Sequence, residues 1–176
     1  MATEETYIEN AVLDGAYMLF VNENDGEERM NAFYTFLNVL AKRIYEGAVV
    51  PAPFTDVENT LVSSFDPRTI KAGDQIVLDK AVRLKMDIMT ASDGSLWIPL
   101  FINDRSINRG ETANIHMSVP IIDILKMGIE REDVVGVVID PFGKATTFEK
   151  DILEKFLGDY ETWKKYMEAN RDGGNR

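Results

Sequence analysis

Three segments in the middle of the chain decide its fold: DGSLWIPLFIND at residues 93–104, SVPIIDIL at 118–125 and DVVGVVIDPFG at 133–143. The first and third contain runs of consecutive apolar residues, which are typical of strands covered on both faces. The second places Ser118 ahead of a short apolar run, which predicts a capped helix. The three segments together indicate an α+β domain with helices packed on a sheet.

The residues around these segments predict further strands. Residues 82–88 alternate between apolar and charged side chains, the period of a strand with one buried face, and Asp93-Gly94 predicts a hairpin turn into residues 96–102. Pro99 lacks an N–H group, so a bulge or a missing neighbour strand is expected there. Shorter strands are expected at 114–118, 134–139 and 145–148. The prediction is a mixed, mostly antiparallel sheet of about five or six strands.

Helical periodicity is strongest between Asp25 and Glu46, and Gly47 is placed to end that helix. A weaker pattern over residues 7–19 predicts an earlier helix, which would form a helical hairpin with the helix between Asp25 and Glu46. Thr146 and Glu149 match a capping box and predict the start of a C-terminal helix that closes the domain.

The central helix is predicted from Pro120 to Met127, ending at Gly128, with the form of a crossover between two strands. Little periodicity is found in residues 51–78, where three prolines indicate a long surface loop. A chain of 176 residues fits one domain. We divide it into an acidic N-terminal helical segment (1–26), the main domain (27–166) and a polar tail (167–176).

Composition excludes several classes of function. The chain has no cysteine and one histidine, which excludes disulfides, thiolate chemistry and multi-histidine metal sites within one chain. A net charge of -11 opposes binding to nucleic acid or anionic lipid. The start of the chain has no secretion signal, and no apolar run is long enough to span a membrane, so a cytoplasmic protein is expected.

No cofactor is expected from the motifs. Neither of the two common nucleotide-binding glycine motifs occurs. The segment NENDGEE suggests a calcium loop, but with Gly26 at the sixth position the first and twelfth positions fall on Val21 and Ala32, which have no ligating side chain. A turn between two helices, with Asn24 or Asp25 as the cap, accounts for the same residues.

Two groups of residues are candidates for a site. Trp97, Phe101 and Phe142 could form an apolar patch for a partner, or they could pack in the core. Asp104, His116 and Asp140 are placed near predicted strands and element ends, where sites on sheets tend to gather. Capping, turn formation or an ordinary position on a polar strand face would explain them equally well.

The order of these segments resembles the N-terminal domain of the SseB-like family, which is named for enhanced serine sensitivity. The resemblance covers about residues 27–160 and depends on the pairing of DGSLWIPLF with GVVIDPFG. Two positions depart from the family pattern: Ile102 where Thr is frequent, and Asp140 where Asn is common before the proline. The resemblance implies a binding or regulatory module without a carried-over reaction or cofactor.

We therefore expect a non-enzymatic α/β binding module that engages a protein partner. The alternative is a small-molecule sensor or an acid–base enzyme. Its pocket would lie between the 51–78 loop and the strand ends near Phe101 and Pro141.

Overall fold

A computed structural model describes residues 4–58, 83–110 and 115–173. The predicted α+β class is confirmed, but the strands of the described residues form two sheets rather than one. The helices are α1 (Glu4–Asn22), α2 (Gly26–Tyr45), α3 (Asp104–Ile107), α4 (Ile121–Glu130) and α5 (Lys150–Gly173). The strands are β1 (Val49–Asp56), β2 (Leu84–Met86), β3 (Met89–Thr90), β4 (Leu96–Leu100), β5 (Ile115–Pro120), β6 (Gly136–Ile139) and β7 (Thr146–Glu149).

The predicted helical hairpin is confirmed as α1 and α2. The Asp25 carboxylate accepts hydrogen bonds from the N–H groups of Glu27 and Glu28 at 3.0 and 3.1 Å, which caps α2. Gly47 follows α2 with a positive φ of 77°, as the expected C-terminal residue. The inner faces of the two helices supply buried core side chains: Leu13, Ala16, Tyr17, Phe20, Phe36, Leu40 and Ile44.

Strand β1 corrects the prediction of a loop over residues 51–78. Residues 51–56 are part of a strand, whereas residues 59–82 lie outside the described ranges. The strand tolerates Pro51 and Pro53 because β2 pairs only with residues 54–56. The Pro53 carbonyl accepts a hydrogen bond from Asp87 N at 3.0 Å and therefore faces away from β5. In an antiparallel strand the N–H and C=O of one residue face the same side, so the N–H that proline lacks would not have bonded to β5.

Of the strand predicted over residues 82–88, the structure has β2 (Leu84–Met86), but β2 is not the hairpin partner of β4. β2 pairs with β1 in the three-stranded sheet (order β2-β1-β5), whereas β3 pairs with β4 in the four-stranded sheet (order β3-β4-β6-β7). The chain changes sheets at Asp87, whose carboxylate accepts from Thr55 Oγ1 at 2.6 Å. The hairpin turn at Asp93-Gly94 is confirmed. β3 pairs only with Leu96 and Trp97, so within the described ranges Pro99 has no neighbour strand on that side, as one of the two expectations for Pro99 stated.

The central helix also differs from its prediction. Ser118 does not cap it, because Ser118 pairs with Pro51 inside β5 and α4 starts only at Ile121. Gly128 does not end it. A Cβ at Gly128 would lie 2.5 Å from Val137 Cγ2, so this glycine lets α4 approach β6 closely. α4 is not a crossover within one sheet, since β5 and β6 belong to different sheets.

The C-terminal helix begins later than the capping box predicted, because a strand occupies the residues of that box. Thr146 and Glu149 are in β7, which pairs antiparallel with β6, and α5 begins at Lys150. The expected short strand over 145–148 is therefore confirmed, and the capping box is wrong. α5 packs Leu153, Phe156 and Tyr160 into the core. No helix in the described part of the chain has the length and apolar character needed to cross a membrane.

Candidate functional site

The carboxyl ends of β4 and β6 meet at one edge of the four-stranded sheet. These two strands are parallel neighbours, with Leu100 opposite Ile139 in the register. Asp140 N continues the ladder by donating to Leu100 O at 3.0 Å. Ligands in sheets with parallel strands usually bind at this edge, because the loops that leave the strands converge there.

After β6 the chain makes a tight turn over residues 140–143. Gly143 N donates to Asp140 O at 2.9 Å, and Pro141 occupies the second position, where its fixed φ is favourable. Asp140 itself has a φ of 47°, in the left-handed region. This conformation is uncommon for a residue with a side chain and is further disfavoured before proline, so Asp140 is held in a strained backbone by its surroundings.

The Asp140 carboxylate is buried and only half satisfied. The residue is 4% exposed. Its Oδ2 lies 3.3 Å from Arg109 Nη1, in the loop that follows α3, whereas its Oδ1 has no hydrogen-bond partner. A buried acceptor without a donor is unfavourable by roughly 1–3 kcal/mol, and more when it is charged. Asp140 Oδ1 is therefore a buried acceptor that a hydrogen-bond donor would stabilise.

Two glycines make room for this arrangement. A Cβ at Gly143 would lie 2.1 Å from Asp140 Oδ2 and 2.6 Å from Arg109 Nη1. A Cβ at Gly110 would lie 2.3 Å from the Phe142 ring, which therefore covers the Gly110 backbone. We call Arg109, Gly110, Asp140, Phe142 and Gly143 the strand-end cluster.

Tyr17 of α1 supports the cluster from the core side. Its hydroxyl donates to Lys144 O at 2.5 Å, lies 3.2 Å from Ile139 O and can accept from Thr146 Oγ1 at 3.1 Å. Burial raises the pKa of Tyr17 to about 12, and the nearby Asp140 carboxylate also raises it. The chain on both sides of the turn is thereby tied to α1.

The structure brings together some of the sequence-predicted residues and separates others. Phe101 is fully buried, and its ring stacks on half-buried Phe142 with centroids 5.6 Å apart. Trp97 is half-buried at the start of β4 and donates through Nε1 to Ser95 Oγ at 2.8 Å. Of this aromatic group, Phe101 and Phe142 therefore form a pair beside Asp140.

The other two polar candidates lie elsewhere. His116 is exposed on β5 in the three-stranded sheet, opposite Pro53, and so is on a different sheet from Asp140. Asp104 is the first residue of α3, and its side chain lies outside the described part of the structure. Arg109 and Tyr17 belong to the site but were not predicted, because neither stands in a motif with Asp140.

The outer face of α1 is a second candidate surface. It consists of Val12, Gly15, Met18 and Leu19, which face away from the core. Val12 is 57% exposed and Leu19 is 67% exposed. A shallow groove on this face is lined by Gly15, Met18, Leu19, Asn22 and Glu23. Residues 11–21 contain one charged side chain, Asp14, so this half of α1 is apolar nearly all round.

Neither surface is assigned by similarity to a known protein. Within the described ranges, no group of three or more His, Asp or Glu side chains is placed to hold a metal ion. Comparisons with protein-family models, curated proteins and solved structures found no match to the chain. The resemblance to the SseB-like family therefore stays a prediction.

Proposed function

We propose that the protein is a binding module that engages a protein partner through the outer face of α1. The observation that carries this proposal is a surface helix that is apolar on both faces. A helix of this kind is normally buried, because a solvent-facing side usually carries polar residues. Among the described residues, the core covers the side with Leu13, Tyr17 and Phe20 and leaves the opposite side exposed, so a second protein can contact it.

The charge around α1 indicates the chemistry of the partner. Eight acidic residues precede Arg29, the first basic residue of the chain. Glu23 lines the groove just after the end of α1, and Asp14 is on α1 itself. A second copy of this chain would bring the same negative charge to the surface, whereas Lys and Arg side chains would be attracted to it. A basic amphipathic helix therefore fits this surface best.

The direct test is titration of the protein with two synthetic amphipathic helices that share one apolar face. One carries Lys on its polar face and the other carries Glu, and binding is measured by calorimetry. We expect the Lys peptide to bind and its affinity to fall with added salt, since screening weakens exposed charge pairs. Equal binding of the two peptides would contradict the proposed partner chemistry.

A variant pair locates the binding surface. Leu19→Gln should weaken binding of the Lys peptide roughly tenfold or more, because the Leu19 side chain would lose burial worth about 1.5–3 kcal/mol. Tyr166→Gln on α5 is the matched control, since Tyr166 is also 67% exposed. Neither change should alter the free energy of unfolding by more than about 0.5 kcal/mol. Equal affinities of the two variants would show that the outer face of α1 is not the binding surface.

A further inference from the structure

We propose that the strand-end cluster is a binding site for a small carboxylate that carries a hydrogen-bond donor on the adjacent carbon. This inference is independent of the proposed function, because it rests on different residues. It starts from the position of Asp140 at the carboxyl ends of two parallel strands, where β4 and β6 are followed by the loops that contain Arg109 and Gly143.

The first requirement on the ligand is a donor. Asp140 Oδ1 is buried and accepts no hydrogen bond, while Oδ2 of the same carboxylate faces Arg109. A carboxylate oxygen can only accept, so the group that completes this site must bring an N–H or an O–H. The surroundings hold Asp140 in its strained conformation, so its carboxylate is in place before that group arrives.

The second requirement is an acceptor for Arg109. Only Nη1 of this guanidinium is used by Asp140, and the remaining N–H groups have no partner among the described residues. A guanidinium presents its donors in a planar fork that matches the two oxygens of a carboxylate. Arg109 can therefore bind a ligand carboxylate with its remaining N–H groups.

The spacing of the two requirements limits the ligand. Asp140 and Arg109 already touch through Oδ2 and Nη1, 3.3 Å apart. Oδ1 and the remaining N–H groups of Arg109 belong to these same two touching side chains, so the donor and the carboxylate of the ligand must also be near neighbours. An ammonium group on the adjacent carbon completes a set with two positive and two negative charges. A hydroxyl group in its place leaves one negative charge in excess, which is unfavourable in a partly buried site.

Approach to the site is from the side of Arg109. The Arg109 side chain is 44% exposed and Gly143 is exposed, whereas Phe142 is half-buried and packs on Phe101. A rotation of the Arg109 side chain would open a path to Oδ1. Gly143 leaves free the space beside the Arg109–Asp140 pair, since a Cβ there would lie 2.1 Å from Oδ2 and 2.6 Å from Nη1.

The test uses three probes of one size: L-alanine, L-lactate and propionate. They carry an ammonium, a hydroxyl and no donor, respectively, beside the same carboxylate. Binding is followed by NMR through the amide signals of Gly110 and Gly143, with pools of the other natural amino acids added to cover larger side chains. We expect saturable shifts of both signals in the order ammonium, hydroxyl, no donor, with roughly tenfold between the first and the last.

Two variants separate this site from a general charge effect. Arg109→Gln should weaken the binding of the amino-carboxylate probe roughly tenfold or more. Arg131→Gln removes another arginine that pairs with an aspartate, Asp133 at 2.6 Å, and should leave binding unchanged. Leu19→Gln should also leave it unchanged, so failure here and failure of the proposed function can be told apart.

Two results would overturn the inference. One is that no probe and no pool moves the Gly110 and Gly143 signals in a saturable way, which would mean that an ordered water alone satisfies Oδ1. The other is that propionate binds as tightly as L-alanine, because the donor would then have no part in recognition.

Discussion

The outer face of α1 and the strand-end cluster differ in polarity, in exposure and in what holds each of them in shape. The first is apolar, exposed and carried on a regular helix, with Val12 and Leu19 meeting solvent. The second is centred on a polar, buried group, the carboxylate of Asp140, whose backbone is strained. The face on α1 needs no neighbouring element to hold its shape, whereas the cluster exists only because two loops and two glycines bring it together.

Tyr17 connects the two regions. It belongs to α1, but its ring faces the core and its hydroxyl contacts the chain on both sides of the 140–143 turn. Changes at the outer face should therefore leave the fold nearly unaffected, while changes at the cluster or at Tyr17 should destabilise it. The four predictions below follow from this difference, from the largest expected effect to the smallest.

Gly143→Ala should lower the free energy of unfolding by about 1–3 kcal/mol, the usual range for an overpacked site. The new Cβ would lie 2.1 Å from Asp140 Oδ2, so the carboxylate or the turn must shift. Chemical denaturation measures the change. An unchanged midpoint would mean that the Asp140 carboxylate is not held against Gly143.

High pH should destabilise the protein through Tyr17. The pKa of Tyr17 is about 12 in the fold, compared with its ordinary value of 10, so the unfolded chain releases this proton first. The stabilising contribution is complete below pH 10 and is lost as the pH rises towards 12. Tyrosinate absorbance of the wild type minus that of Tyr17→Phe gives the titration. A difference curve centred near 10 would contradict the burial of this hydroxyl.

Tyr17→Phe should cost about 1 kcal/mol at neutral pH, the net value of a typical internal hydrogen bond. The ring keeps its packing against Phe36, with centroids 5.3 Å apart, so the loss comes from the hydroxyl. Thermal unfolding measures it. Tyr34→Phe on α2 is the control, because Tyr34 is exposed and should show no change.

Gly15→Ala should change the free energy of unfolding in the opposite direction to the other substitutions and by the smallest amount. Nothing lies within 4 Å of a Cβ at this helical position, so alanine adds no clash. It should stabilise the protein by about 0.5–1 kcal/mol, because glycine loses more backbone entropy in a helix. Chemical denaturation of Gly15→Ala and Gly143→Ala, measured in parallel with the wild type, tests the comparison directly. A destabilising effect at Gly15 would mean that the outer face of α1 is already in contact with another part of the chain.

Local features were predictable from the sequence to different degrees. The capped helix after Asp25 and the turn at Gly94 were correct because each depends on neighbouring residues. The α+β class was correct because it follows from the set of helices and strands, whose periodicities are visible in the sequence. The strand within 82–88 was found as β2, but it pairs with β1 and not with β4, since alternation in a strand does not tell which sheet it joins. The capping box at Thr146 was wrong because pairing with β6 takes precedence over a local cap.

The candidate site was predictable only in part. Asp140, Phe101 and Phe142 were named from the sequence, and the structure places them together. Arg109 was missed because it carries no motif of its own. The apolar run over residues 11–21 was a signal for the outer face of α1, since only one charged residue interrupts it.

The sequence by itself determined the helical hairpin, the turn at Asp93-Gly94 and the excess of acidic residues near the N-terminus, because these follow from short-range periodicity, turn chemistry and composition. Only the tertiary structure decided that β4 and β6 are parallel neighbours, and hence that Arg109 meets Asp140 across 31 residues. It also decided that Tyr17 reaches Lys144 across 127 residues. Contacts at such separations depend on how elements pack, and packing is a property of the whole chain rather than of any one segment.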